Sequence, residues 1–253
     1  MDERYLTALL MASLAGLSTT IGSLIGVFYR KPGPTYMTLM LGFSAGVMVL
    51  VSFVKLLQSG IESLGFAHAH IAFFAGMGVM MLVDMFISHE YILEKTEKKN
   101  DRQDKLRKAS LLVAMGIAIH NFPEGMATFA GTMKDIRLGV ALAFAIAIHN
   151  IPEGIAVAVP VYAATGSVRK SFLWSFLSGV SEPVGALLAA LIVVQILNET
   201  VLGWMVSIVG GFMVYISFDE LLPVAHSYGK EHLAILGIMA GMIVMAVSLV
   251  FLQ

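Results

Sequence analysis

Cysteine is absent from all 253 residues, and charge is scarce at 13%. Without cysteine there is no disulfide framework and no thiolate metal site, so any metal bound here uses nitrogen, oxygen or thioether ligands. The shortage of charge, set against 58% hydrophobic residues and a mean hydropathy of +0.84, excludes a soluble domain and fits a polytopic membrane protein. A basic leader is missing as well. Met1-Asp-Glu-Arg-Tyr5 carries two acids and one base, so the first apolar segment reads as a retained span rather than a secretory signal.

What is present is a succession of apolar stretches, each of about the 20 residues that a bilayer demands. They predict an all-α protein of eight transmembrane helices, at 5–28, 36–57, 67–92, 110–132, 138–163, 171–196, 201–222 and 233–252. The whole of 1–253 forms one transmembrane domain, and the charged stretch 94–108, inside a loop over 93–109, is its one linker-like segment. Lys and Arg accumulate in short cytoplasmic loops. Twelve of the 16 fall in alternate connections, around Arg30, Lys98, Arg169 and Lys230, against Arg4, Lys134 and Arg137 on the other side. That bias predicts both termini outside.

The informative anomaly is a duplicated decapeptide. Ala118-Ile-His-Asn-Phe-Pro-Glu-Gly-Met-Ala127 returns as Ala147-Ile-His-Asn-Ile-Pro-Glu-Gly-Ile-Ala156, each copy inside an apolar stretch. Polar and ionisable residues at that depth are expensive and by default mark an ion or substrate pathway. At about 100° per residue, His120 at 0° sets Asn121 near 100° and Glu124 near 40°, so the carboxylate lies between imidazole and amide. His120 and Glu124 then form one i, i+4 pair and Asn121 and Glu124 an i, i+3 pair; His149, Asn150 and Glu153 repeat the arrangement. If the fourth and fifth helices face each other, the ligands converge on a binuclear centre bridged by two carboxylates, suited to zinc, iron, manganese or cobalt. Pro123 and Pro152 are expected to break their helices and free the carbonyls of Ile119 and Ile148, while Gly125 and Gly154 allow close helix approach. A third intramembrane acid, Glu182, stands in Ser178-Gly-Val-Ser-Glu-Pro-Val-Gly185.

The paired His-Asn-x-Pro-Glu-Gly helices, the Ser-Gly-x-x-Glu-Pro helix and Asp219-Glu-Leu-Leu-Pro223 together resemble the ZIP family of divalent-metal transporters, and within it the bacterial zinc-uptake branch, over nearly the whole chain. The resemblance implies uptake of zinc, and of iron, manganese, cobalt or cadmium, across the bacterial cytoplasmic membrane. It implies one metal position on His120, Glu124, His149 and Glu153, and another on Asn121, Glu124, Asn150, Glu153 and Glu182. The expected partners are divalent ions and the lipid bilayer, without nucleic acid, resident cofactor or catalytic residues; a homodimer is left open. Relatives often carry an acid and a proline where this chain has Lys55 and Gln58, and Lys55 is expected to snorkel to the interface.

Other polar residues receive plainer readings. Met48 matches a thioether position of relatives but reads as core filler. His68 and His70 open the third span at the outer interface, Asp84 and His89 lie toward its inner end as hydrogen-bonding or exit groups, and Asp219 and Glu220 line the cytoplasmic mouth. His226 and His232 flank the last inside loop. The rival function, an intramembrane zinc hydrolase, lacks a His-Glu-x-x-His arrangement and an evident general base.

Overall fold

The computed structural model describes residues 3–29, 33–85, 99–193 and 198–251. Among these there are only helices: α1 (Glu3–Tyr29), α2 (Pro34–Leu64), α3 (Phe66–Met85), α4 (Lys99–Lys134), α5 (Ile136–Thr165), α6 (Val168–Val193), α7 (Glu199–Ser227) and α8 (Glu231–Phe251). Seven of them are long and apolar enough to cross a membrane. The eighth, α4, is the longest at 36 residues, and its composition is diluted by charged first turns and by His120, Asn121 and Glu124. On α1 the exposed stripe Leu6, Leu10, Leu14, Leu17, Ile21 and Leu24 is apolar at three- and four-residue spacing, as lipid rather than water requires.

The ends of these helices follow from local chemistry. Asp135 caps α5 by accepting from the backbone N–H of Arg137 at 2.7 Å and of Leu138 at 3.0 Å, and Asn198 caps α7 through Val201 N–H at 2.8 Å; each satisfies donors that a helix start leaves open. Gly166 closes α5 at φ 64°, in the left-handed conformation that glycine adopts without penalty.

Three elements differ from expectation. α2 runs on to Leu64, beyond the expected end at 57, so Glu62 is helical, and Lys55, inside the expected span, sits within a π-helical stretch, Ser52–Leu57. α4 starts at Lys99, which makes the second half of the charged segment predicted as a loop an extension of that helix. Pro123 and Pro152 lie inside continuous helices rather than at breaks; proline forfeits one N–H and crowds one carbonyl, and flanking turns packed on both sides hold the helix together.

The helices sort into two groups. α1, α4, α5 and α6 pack together, as do α2, α3, α7 and α8, and the groups meet where α2 crosses α5 and where α7 crosses α4. A two-fold relation organises these contacts, pairing α1 with α6, α2 with α7, α3 with α8 and α4 with α5. A Cβ on Gly22 would collide with the Ile151 carbonyl, and one on Gly185 with that of Phe122, the same motif position. Likewise Gly46 meets the Ile238 carbonyl and Gly211 that of Phe73, while Gly76 meets Ile208 and Gly241 meets Phe43. Such contacts are the small-residue packing that lets helices approach closely without a hydrophobic driving force. The duplicated motif lies about the axis, on α4 and α5.

Candidate metal centre

Asn121, Glu124, His149, Asn150, Glu153 and Glu182 each have 0% exposure. Three carboxylates, an imidazole and two amides are thus removed from solvent together, at a cost that only mutual pairing or a bound cation offsets. The helices bring them to two adjoining sets.

The first set spans α4 and α5. His149 Nε2 lies 3.0 Å from Glu124 Oε1, and ligand atoms of Glu124, His149 and Glu153 fall within 4.8 Å of one another. Ser44 on α2 has its hydroxyl 3.3 Å from Glu153 Oε1 and 3.4 Å from the His149 carbonyl. Met48, one turn along α2 from Ser44, is fully buried in the core. The His120 side chain lies outside the described residues.

The second set faces α1 and α6. Asn150 Nδ2 donates to the Ala15 carbonyl at 3.0 Å and to Glu182 Oε1. Asn121 Nδ2 donates to the Ser178 carbonyl at 3.1 Å. Both amides therefore spend their donors on acceptors of the protein, and Oδ1 of Asn121, Oδ1 of Asn150 and Oε2 of Glu124 are left as buried acceptors without a hydrogen bond. Buried polar atoms are almost always satisfied, and open buried acceptors on the motif residues are ones that a bound cation would satisfy. The donor set, imidazole nitrogen with amide and carboxylate oxygen, fits zinc and its first-row neighbours.

Gly125 and Gly154 make this convergence possible. A Cβ on Gly125 would strike the Glu182 carbonyl and one on Gly154 the Thr19 carbonyl, so the glycine after each motif glutamate seats α4 on α6 and α5 on α1. The close approach expected of them is present, toward these outer neighbours.

Several contributors were not anticipated: the Ser44 hydroxyl and the carbonyls of Ala15 and Ser178. Ser44 had a faint signal in Gly42-Phe-Ser-Ala-Gly46, where flanking glycines bring α2 against α8; carbonyls leave none.

The remaining candidates sit elsewhere. His70 Nδ1 is 2.8 Å from the Phe66 carbonyl of its own helix, and His68 lies edge-on to Trp204 at 6.4 Å. Asp84 is buried, and Oδ2 accepts from the Tyr215 hydroxyl at 3.1 Å. Asp219 is exposed, Glu220 and His226 are half-buried and His232 is exposed; His89 lies outside the described residues.

A family model described as ZIP Zinc transporter matches residues 88–249. Curated relatives similar along their whole length include the Zinc transporter ZupT of Clostridium perfringens, 45% identical over 98% of this chain and 96% of the relative. That of Streptococcus mutans is 44% identical over 98% of each chain, and that of Chlorobium phaeovibrioides 47% identical over 100% of each.

Proposed function

Since the chain belongs to the ZIP family of zinc transporters, we propose that zinc crosses the membrane through the buried cluster between α4 and α5, at two positions that share Glu124 and Glu153. The protein is a multi-pass protein of the bacterial inner membrane and a transporter, not an enzyme. One position draws on His120, Glu124, His149 and Glu153, the other on Asn121, Glu124, Asn150, Glu153 and Glu182. The observation that carries this reading is the meeting of Glu124, His149 and Glu153, all fully buried, within 4.8 Å of one another. Iron, manganese, cobalt and cadmium belong to the same cargo class, because the nitrogen and oxygen donors suit them too.

We place the termini outside, as the Lys and Arg distribution requires. Two charges moving inward through 100 mV then gain roughly 4.6 kcal/mol, at about 2.3 per charge, so the membrane potential suffices to drive uptake. The test is flux of radioactive zinc into sealed right-side-out vesicles holding the purified protein. Potential-driven zinc accumulation that is lost in Glu124→Gln and Glu153→Gln is the expected result; accumulation unchanged in both would remove the cluster from the pathway.

A further inference from the structure

The two-fold relation recurs in sequence outside the motif as well: Ala75-Gly-Met-Gly-Val-Met80 on α3 returns as Ala240-Gly-Met-Ile-Val-Met245 on α8. Ser52-Phe-Val-Lys-Leu-Leu57 on α2 and Ser217-Phe-Asp-Glu-Leu-Leu222 on α7 share the pattern Ser-Phe-x-x-Leu-Leu. Both run as π-helix, over Ser52–Leu57 and Ser217–Leu221, a rare geometry found mostly as short bulges within α-helices and frequently at functional sites. Their burial agrees position by position: serine buried, phenylalanine and the next residue exposed, the fourth half-buried, the following leucine buried. Agreement of pattern, backbone and exposure over the first five positions makes these two segments counterparts.

They differ in charge at the third and fourth positions, Asp219 and Glu220 on α7 against Val54 and Lys55 on α2; the fourth is where the sign reverses. Glu220 overhangs α4: its Oε2 lies 3.5 Å from where a Cβ on Gly116 would stand, one helical turn ahead of His120. The relation that carries α7 onto α2 and α4 onto α5 carries Gly116 onto Ala145, one turn ahead of His149. Lys55 thereby corresponds to Glu220 on the opposite side of the centre. Among the described residues the Lys55 side chain makes no hydrogen bond or ion pair.

Nor is Lys55 at a helix end, where the sequence alone had it snorkelling. It stands nine residues before Leu64, roughly 14 Å of helix rise. One turn nearer that end, the Lys134 ammonium donates to the Ser59 hydroxyl at 2.7 Å and to the Ser59 carbonyl. That level is already held by a cation from the α4–α5 turn. Lys55 is the next fixed charge below it.

We propose that Lys55 is a specificity-determining residue for transport: a fixed positive charge in the mouth on the side of the termini that weakens the approach of divalent cations, where its counterpart Glu220 attracts them at the other mouth. The inference rests on the zinc pathway proposed above. With the termini outside, the electrostatic profile then falls from outer to inner mouth, and Lys55 limits loading at low external zinc.

The experiment is initial-rate zinc uptake by Lys55→Arg, Lys55→Gln and Lys55→Glu proteins in sealed vesicles. A unit charge roughly 8 Å from a dication in a water-filled mouth changes its local concentration about fivefold at low salt. KM should therefore fall about fivefold in Lys55→Gln and about 25-fold in Lys55→Glu, and stay near the parent value in Lys55→Arg. The maximal rate should hold within about twofold, and the differences should shrink above roughly 0.5 M salt, where the Debye length is a few ångströms. The rate at which purified protein takes zinc from a chromophoric chelator should rise in the same order, a readout independent of transport. If neither KM nor the uptake rate from chelator follows the order of charge, Lys55 is no pathway residue and the proposal falls. Stability losses in Lys55→Gln and Lys55→Glu with unmoved kinetics would overturn it equally, in favour of a lipid anchor. Failure of the parent to transport zinc while the chelator rates follow charge would count against the transport reading alone.

Discussion

Replacement of Glu124 tests whether the two metal positions share a carboxylate. Glu124 is fully buried with Oε1 3.0 Å from His149 Nε2, so it meets a bound cation without competing water. Removing one partner of a buried charge pair costs about 3–5 kcal/mol, since the other charge is left uncompensated; at about 1.4 kcal/mol per tenfold this is roughly 100- to 3,000-fold in Kd. If Glu124 serves both positions, both weaken by that factor. Asn121→Ala removes only a neutral amide oxygen, where a hydrogen bond to a charged group is worth about 1.5–3 kcal/mol, and it touches one position. The assay is equilibrium dialysis of purified protein at a free zinc concentration about tenfold above the parent Kd, with bound metal counted by elemental analysis. Parent should hold two ions, Asn121→Ala and Glu182→Ala one, Glu124→Ala and the shape-conserving Glu124→Gln none. Glu124→Gln protein that is helical, monodisperse and still binds one ion at parental affinity would refute the shared carboxylate, and the bridged centre with it.

Glycine packing gives a sharper contrast: Gly125→Ala forces a Cβ onto the Glu182 carbonyl, whereas at Gly78 on α3 nothing stands within 4 Å. Thermal unfolding in detergent should show Gly125→Ala strongly destabilised or unfolded and Gly78→Ala unchanged or gaining up to about 1 kcal/mol; equal effects would disprove the close approach of α4 to α6. Ser44→Ala should leave the fold intact and weaken zinc about 10- to 100-fold, the usual cost of losing a group that orients a ligand, and a Kd within twofold of parent would show that the hydroxyl does not orient Glu153. In this cysteine-free chain, a single Cys at Glu62 should react with impermeant maleimide from outside intact cells and one at Arg169 only after permeabilisation. Labelling of both from the same face would reverse or break the assigned topology.

The eight helices were legible because hydrocarbon thickness imposes a length on each apolar run, and the site because four chemically costly residue types recur at fixed helical spacing. What escaped detection has physical causes. Ser59, Gly60 and Glu62 read as the end of a span, yet α2 continues, with Gly60 seated against Ser207 of α7: packing, not composition, sets that boundary. The charged residues ahead of Ser110 read as a solvated loop, but Lys, Arg, Gln and Asp in succession carry no helix breaker, and α4 simply extends through them. Prolines inside the motif suggested interruption because their local cost was counted without the neighbouring helices that hold each end. The two-fold relation was hidden because outside the motif it survives in sequence as short patches such as Ser-Phe-x-x-Leu-Leu and Ala-Gly-Met-x-Val-Met, while its fuller signature lies in which glycine meets which carbonyl.

That relation also bears on why two positions of the centre should differ. By position in the repeat it pairs His149 with His120, Asn150 with Asn121 and Glu153 with Glu124, so each of these proposed ligands has a like counterpart. Glu182 has no such match. Gly125 meets the Glu182 carbonyl and Gly154 the Thr19 carbonyl, which makes Thr19 the counterpart of Glu182. Thr19 is fully buried, and its hydroxyl has no hydrogen-bond partner. A neutral hydroxyl therefore stands on α1 where a carboxylate stands on α6, and Asn150 rather than Asn121 is the amide that Glu182 engages. On the two-position reading proposed above, the single unmatched charge would draw the amide-side ion toward α6 and hold it more strongly than symmetry alone. Loss of Glu182 should accordingly empty the amide-side position and spare the other, while loss of Glu124, on the symmetric part of the centre, affects both.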